Sequence, residues 1–201
     1  DVIDGGDGVD TVDYSDAQEK LDINLLGGYV TGQDAGNDSI QNVENVIARY
    51  SGPDQIVGND AANEIYAAGI DEGGPYGGWD KVEGLGGDDL IDLGGPNGGG
   101  KNSRAFGGPG DDIIIGTSGR NKILDGGPGD DTITAFGHNT DELRGGPGDD
   151  ILDGGDGKND RAFYDGSIND YSVCIDADGN VIVTDLVGND GTDTLKNIER
   201  I

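Results

Sequence analysis

The chain has 201 residues and a formal net charge of −29, and 34 of its 41 acidic residues are Asp. A surface this negative disfavours nucleic acid and membrane insertion, and no apolar run is long enough to predict a membrane-spanning helix or a signal peptide. With 41 glycines, three Phe, no Met and one Cys, a packed globular core is hard to build and an internal disulfide is impossible.

Charge and hydropathy alone would class the chain as disordered. A solenoid is the exception to that rule, because it needs only one apolar residue per turn. Residues 1–4 (DVID) read as the tail of a repeat whose turn is missing, so the chain is expected to begin inside a longer array. Residues 5–13 are a full nonapeptide of the form G-G-x-G-x-D-x-U-x, where U is apolar. Its turn is Gly5, Gly6, Asp7 and Gly8, with Asp10 in sixth place. Glycines turn the chain sharply because they tolerate positive φ. The apolar residue then sits on a very short strand and points inward. Residues 21–30 (LDINLLGGYV) alternate, which predicts strands outside the roll.

Residues 49–57 lead into the main roll, with Asp54 and Ile56 as D-x-U. Residues 58–66 carry Asn63 in sixth place, where a metal site would be weaker or absent for want of charge. Residues 67–79 are an inserted loop, after which Asp80-Lys81-Val82 resumes the pattern. Residues 84–92 (GLGGDDLID) are a looser repeat with Gly84, Gly86, Gly87 and Asp89, and 93–104 form a second inserted loop.

Residues 107–163 then hold three gapless blocks of nineteen, each opening GGPGDD. Six letters kept in register three times mark an internal repeat. Two nonapeptide-like halves make one coil, so all GGPGDD turns lie along one edge. Ile114, Ile133 and Leu152 are expected to stack roughly 4.8 Å apart as one core ladder. Ile123, Leu143 and Ala162 are expected to form the facing one. The second edge reads GTSGRN, AFGHNTD and GGDGKND (with Gly154, Asp156 and Asp160 in the last), and is degenerate. Asn121 stands where Asp is expected, and Asp141 and Asp160 are displaced by an inserted residue. One good metal row and one poor one are predicted.

Asp112, Asp131 and Asp150 would stack at strand spacing. Carboxylates that close repel strongly away from bulk water. A hard divalent cation removes the conflict, and calcium accepts six to eight oxygens in a flexible geometry. Magnesium wants a tight octahedron and keeps its waters. Zinc is poorly served without Cys or His sets. An isolated G-G-x-G-x-D is more economically a turn; three in fixed register are not.

These blocks resemble the RTX family, the haemolysin-type calcium-binding repeats of secreted bacterial proteins. The resemblance implies that calcium lies between two turns of an edge, held by the sixth-place Asp and the carbonyls of places one to four. Carried over, the ligands are Asp112 with Gly107, Gly108, Pro109 and Gly110, and Asp131 with Gly126, Gly127, Pro128 and Gly129. Asp150 with Gly145, Gly146, Pro147 and Gly148 follows. Asp89 extends the row, and Asp10, Asp38, Asp54, Asp80, Asp160 and Asp193 are flanking candidates. Four or more ions are expected. Type I secretion, an extracellular setting and folding on calcium are likewise implied by the resemblance.

At the far end, residues 160–164 (DRAFY) parallel 10–14 (DTVDY), and 191–201 parallel 36–47. Between them, alternating segments flank DADGN at 176–180, a hairpin signal. The expected fold is therefore all-β: a right-handed parallel β-roll, a β-helix solenoid of nonapeptide repeats with flanking β-hairpin flaps. Its parts are residues 1–50 (partial repeat and first flap), 51–163 (main roll) and 164–201 (C-terminal flap or cap). The abrupt stop at Ile201 suggests a fragment.

Catalytic signatures are missing: no HExxH, GxSxG or GxxxxGK[ST]. His138 reads as a turn residue and Cys174 as a packed one. All six prolines follow Gly, which removes Asp-Pro self-cleavage. Tyr66, Tyr76 and Trp79 could stack on carbohydrate, but padding of the roll explains them more simply. The reading is a non-catalytic calcium-binding module, with neighbouring repeats of its parent protein as partners. The alternatives are an ancillary module of a polysaccharide-acting enzyme, or an adhesin or surface-layer segment binding carbohydrate or a cell-surface ligand.

Overall fold

In the computed structural model the described residues are all but 18, 34, 49–52, 68–78, 98–101, 121 and 139. Strands of two to six residues form two ten-stranded sheets. The first runs Val2–Asp4, Gly36–Gln41, Tyr29–Gly32, Leu21–Asn24, Gln55–Val57, Lys81–Glu83, Arg104–Phe106, Ile123–Asp125, Glu142–Arg144, Arg161–Ala162. The second runs Tyr171–Ile175, Val181–Asp185, Thr192–Lys196, Ile151–Asp153, Thr132–Thr134, Ile113–Thr117, Leu90–Gly95, Glu64–Tyr66, Asn45–Ile47, Thr11–Asp13. Through the roll, successive strands alternate between the sheets and every pairing is parallel. This is the parallel β-solenoid expected, and among the described residues only the hairpins towards its two ends are antiparallel.

In the roll from Gln55 to Asp153, each three-residue strand buries its middle residue and leaves its neighbours outside, as the period of two requires. Ile65, Ile91, Ile114, Ile133 and Leu152 form one ladder. The facing ladder differs by one residue from expectation: it contains Leu124, not Ile123, with Leu143 and Ala162. Ile123 lies beside Glu142 on the outer side. The reason is the second turn of each block, which is one residue longer than a nonapeptide turn in all three blocks alike. The inward residue therefore falls at the eighteenth place.

The two ends repeat one design. Tyr14 Oη donates to Asp38 Oδ2 at 2.8 Å, and Tyr164 Oη to Asp193 Oδ2 at 2.7 Å. Glu44 Oε2 accepts from Asp10 N, and Glu199 Oε2 from Asp160 N, both at 2.9 Å. The first hairpin is not a cap. Its outer strand Leu21–Asn24 is covered in parallel by Gln55–Val57, so the roll continues across it. The corresponding strand of the second hairpin, Tyr171–Ile175, is a sheet edge.

Candidate metal centre

Two columns of turns join the sheets, and hydrogen bonds define each column. On the first edge, the backbone N–H of each sixth-place residue donates to the carboxylate of the next coil. Asn63 donates to Asp89 Oδ1, Asp89 to Asp112, Asp112 to Asp131 and Asp131 to Asp150, each at 2.8 Å. Asp150 donates to Asp193 Oδ1 at 2.9 Å. The structure thus brings Asp89, Asp112, Asp131 and Asp150 into one buried file. The fifth-place aspartates, to which the sequence assigned no role, make an outer ladder in the opposite sense. Asp111 N donates back to Asp88 Oδ1 at 3.0 Å. Asp130 N donates to Asp111 Oδ1, and Asp149 N to Asp130 Oδ1, both at 2.9 Å.

One oxygen of each inner carboxylate is spent on this ladder; the other is not. Oδ2 of Asp10, Asp89, Asp112, Asp131, Asp150 and Asp160 is buried with no hydrogen-bond donor. A Cβ added to Gly107 would sit 2.1 Å from Asp112 Oδ2 and 2.6 Å from Gly126 O. The missing side chain at first place is therefore what leaves room for that oxygen. First-place and third-place carbonyls accept from the adjacent coil, Gly126 O from Gly108 N and Pro128 O from Gly110 N. Gly108 and Gly110, at φ +114 and +148, bring their own carbonyls against the next turn. Any Cβ at Gly127 or Gly129 would clash with those oxygens at 2.3 and 1.9 Å.

The electrostatics match this geometry. Burial first, then neighbouring carboxylates, raises Asp89 and Asp131 to about 7, Asp112 to about 6 and Asp150 to about 8. Hydrogen bonds from the ladder oppose the shift without cancelling it. Among the described residues no three His, Cys, Asp or Glu side chains converge on one point. A cation here would be held by single carboxylate oxygens together with backbone carbonyls. That donor set is all oxygen, charged and adaptable, and fits calcium.

The second column is built alike but composed differently. Asp54 N donates to Asp80 Oδ1 at 3.1 Å and Asp80 N to Ser103 Oγ at 3.2 Å. Lys122 N donates to Asp141 Oδ1 at 3.1 Å, and Asp141 N to Asp160 Oδ1 at 2.8 Å. The column residue of the first block is Lys122, not Asn121, which lies outside the described residues. Asp141 and Asp160 are in register with it rather than displaced. The cause is again the longer turn shared by all three blocks. The Lys122 side chain is fully buried. Its Nζ donates to Gly119 O and Phe136 O at 2.8 Å each and stands 3.0 Å from Asp141 Oδ2. Burial pulls the Lys122 pKa down, and Asp141 pulls it back up. A tethered ammonium thus sits between two turns, held by two carbonyls and one carboxylate.

The remaining candidates divide. Asn63 closes its own hydrogen bonds with Asn59, accepting at 2.8 Å and donating at 3.0 Å. Asp38 and Asp193 give Oδ2 to tyrosines. Asp7 and Asp156 have exposed side chains. Gly5 lies against Asp10, Gly84 against Asp89 and Gly154 against Asp160, as first-place residues do, whereas nothing approaches Gly6 and only Asp10 approaches Gly8. Gly86 and Gly87 line the Asp89 turn, and Gly145, Gly146, Pro147 and Gly148 that of Asp150. His138 is an exposed turn residue beside Asp156 O. Cys174 is exposed rather than packed, because it lies on an edge strand. Trp79 is exposed, and Tyr76 lies outside the described residues.

A family model, the RTX calcium-binding nonapeptide repeat (4 copies), matches residues 97–123, 123–139 and 139–160. These residues are RTX repeats. The match spans the three blocks that carry Asp112, Asp131 and Asp150, and RTX repeats bind calcium. A comparison with curated proteins finds no match.

Proposed function

We propose that the chain is a non-catalytic RTX module that folds on extracellular calcium and thereby supports the secretion and stability of its parent protein. The reading rests on one observation above the others: a file of buried carboxylate oxygens that no hydrogen-bond donor meets. Asp89, Asp112, Asp131 and Asp150 hold the ions, with carbonyls of the GGPG turns between them. Four or more ions bind, counting the file and the end turns at Asp10 and Asp160. Unpaired, these groups repel one another and disfavour the compact state. Bound calcium converts its binding free energy into folding free energy. Low calcium then leaves the chain unfolded and ready for export, and calcium outside the cell folds it. Circular dichroism at pH 8, in EDTA and in millimolar calcium, tests the switch, with β signal expected only in calcium. Equal β content in both conditions overturns it. Anomalous scattering from a crystal locates the ions.

A further inference from the structure

From Asp89 to Asp193, each aspartate of the first file gives Oδ1 to a backbone N–H of the coil before it. Their Oδ2 atoms divide them. In Asp89, Asp112, Asp131 and Asp150 that oxygen is buried without a donor. In Asp193 it accepts from Tyr164 Oη at 2.7 Å. Asp193 is buried as deeply as the others, at 1% exposure. Burial therefore does not set it apart; the phenol does.

The turn that leads to Asp193 is rebuilt to match. Residues 188–193 read GNDGTD, so Gly188 holds first place and Gly191 fourth. In the turns of Asp89, Asp112, Asp131 and Asp150, the first-place glycine lies so close to Oδ2 of its own aspartate that no Cβ fits. A Cβ on Gly188 would meet Asp185 Oδ2 instead. Asp185 gathers this turn to itself, accepting from Val187 N and Gly188 N at 2.9 Å and from Asp190 N at 3.1 Å. Fourth-place φ changes as well, from between +143 and +148 in the three GGPGDD turns to +70 at Gly191. The turn thus departs from the arrangement that the GGPGDD turns repeat, at two of the four places to which the resemblance assigns carbonyl ligands.

The first hairpin makes the same substitution. Asp38 is buried, and its Oδ2 accepts from Tyr14 Oη at 2.8 Å. Gly36 precedes it by two residues, as Gly191 precedes Asp193, and has φ +75. Each tyrosine follows a column aspartate, Asp10 or Asp160, by four residues. D-x-x-x-Y therefore marks both places where a hairpin interrupts the roll. The Tyr164 ring is held edge-on to Tyr171, with centroids 5.1 Å apart, which fixes where its hydroxyl points. A hydroxyl donating to a carboxylate makes one of the stronger hydrogen bonds.

We propose that Tyr164 and Tyr14 stand in for calcium, withholding Asp193 and Asp38 from the metal. The turn before the third strand of each flap is closed by a hydrogen bond, and the turns of the roll by ions. The inference rests on calcium occupying the file, as proposed above, and concerns which aspartates take part.

Ion counting by calorimetry tests it, with circular dichroism of each sample in calcium to show that the roll is folded. Asp193→Asn should bind as many ions as the unmodified chain, whereas Asp150→Asn should bind fewer. Tyr164→Phe removes the hydroxyl and keeps the ring beside Tyr171; it should bind one ion more. Combining Tyr164→Phe with Asp193→Asn should restore the original count, a reversal that a merely structural tyrosine would not produce. An ion lost from Asp193→Asn alone, or none gained by Tyr164→Phe, overturns the proposal and leaves the calcium reading standing. An unmodified chain that binds no calcium overturns both.

Discussion

The two turn columns share a backbone and differ in what fills it. The first stacks Asp89, Asp112, Asp131 and Asp150 with no basic side chain in the file. The second is interrupted by Ser103 and by Lys122, whose Nζ reaches oxygens on two successive turns. Position for position, the second column carries a cation of its own in Lys122. On the function proposed above, the first takes its cations from solution into the equivalent spaces. Lys122 is the internal control for the calcium reading.

The sharpest way to break the contrast is to remove the tethered charge. Lys122→Met leaves Asp141 Oδ2, Gly119 O and Phe136 O buried without a partner. Breaking a buried pair in this way costs about 3–5 kcal/mol. The variant should lose that much in urea unfolding at saturating calcium. Lys122→Asp should regain the lost stability at saturating calcium, with one more ion bound by calorimetry. If Lys122→Asp binds no additional calcium, the equivalence of the columns fails.

Next in size is the matching change on the first edge. Asp131→Asn keeps an acceptor for Asp112 N but removes the charge. A hydrogen-bonded charged group contributes about 1.5–3 kcal/mol. The calcium concentration at the folding midpoint should therefore rise by about tenfold or more. The corresponding change at Asp156, whose side chain is exposed, should leave the midpoint where it was. Similar midpoints for the two variants would refute the assignment of Asp131.

Much of this is legible in the sequence because a solenoid writes its geometry in a fixed period. The GGPGDD register places Asp112, Asp131 and Asp150 in one file and Ile114, Ile133 and Leu152 in one ladder. The second edge is harder, since its turn is one residue longer and tolerates varied side chains. Counting from a nonapeptide puts Ile123 and Asn121 where Leu124 and Lys122 belong. Aligning whole nineteen-residue blocks instead sets Lys122 opposite Asp141 and Asp160. Even so, a lysine in a ligand place does not declare its role, because that role depends on which carbonyls surround it. The outer ladder through Asp88, Asp111 and Asp130 is illegible for a like reason, being a matter of backbone direction.

A smaller effect separates protons from calcium. In the calcium-free roll, Asp89, Asp112, Asp131 and Asp150 have pKa values raised to about 6–8 by burial and by neighbouring carboxylates. The unfolded value is about 3.9. A raised folded pKa means that the folded state holds the proton more tightly. That contribution is full below about pH 4 and is lost as pH rises through 6 to 8. In EDTA, β signal should therefore be greater at pH 5 than at pH 8. A flat profile in EDTA, or one rising with pH, would show that the file does not govern folding.

The smallest expected change tests the turn rather than the ion. Pro128 occupies third place, and its carbonyl accepts from Gly110 N at 2.9 Å. Alanine supplies the same carbonyl, so the ladder and the number of ions should be unchanged. What is lost is the restriction that proline places on the unfolded chain, about 0.4–1 kcal/mol. Pro128→Ala should lower stability by that amount in calcium, with equal calcium stoichiometry by calorimetry. Because the restriction acts on the unfolded state, Pro109→Ala and Pro147→Ala should cost similar amounts and the three should add. A loss of bound calcium in any of them would mean that the ring itself shapes the site, and not merely the chain that leads to it.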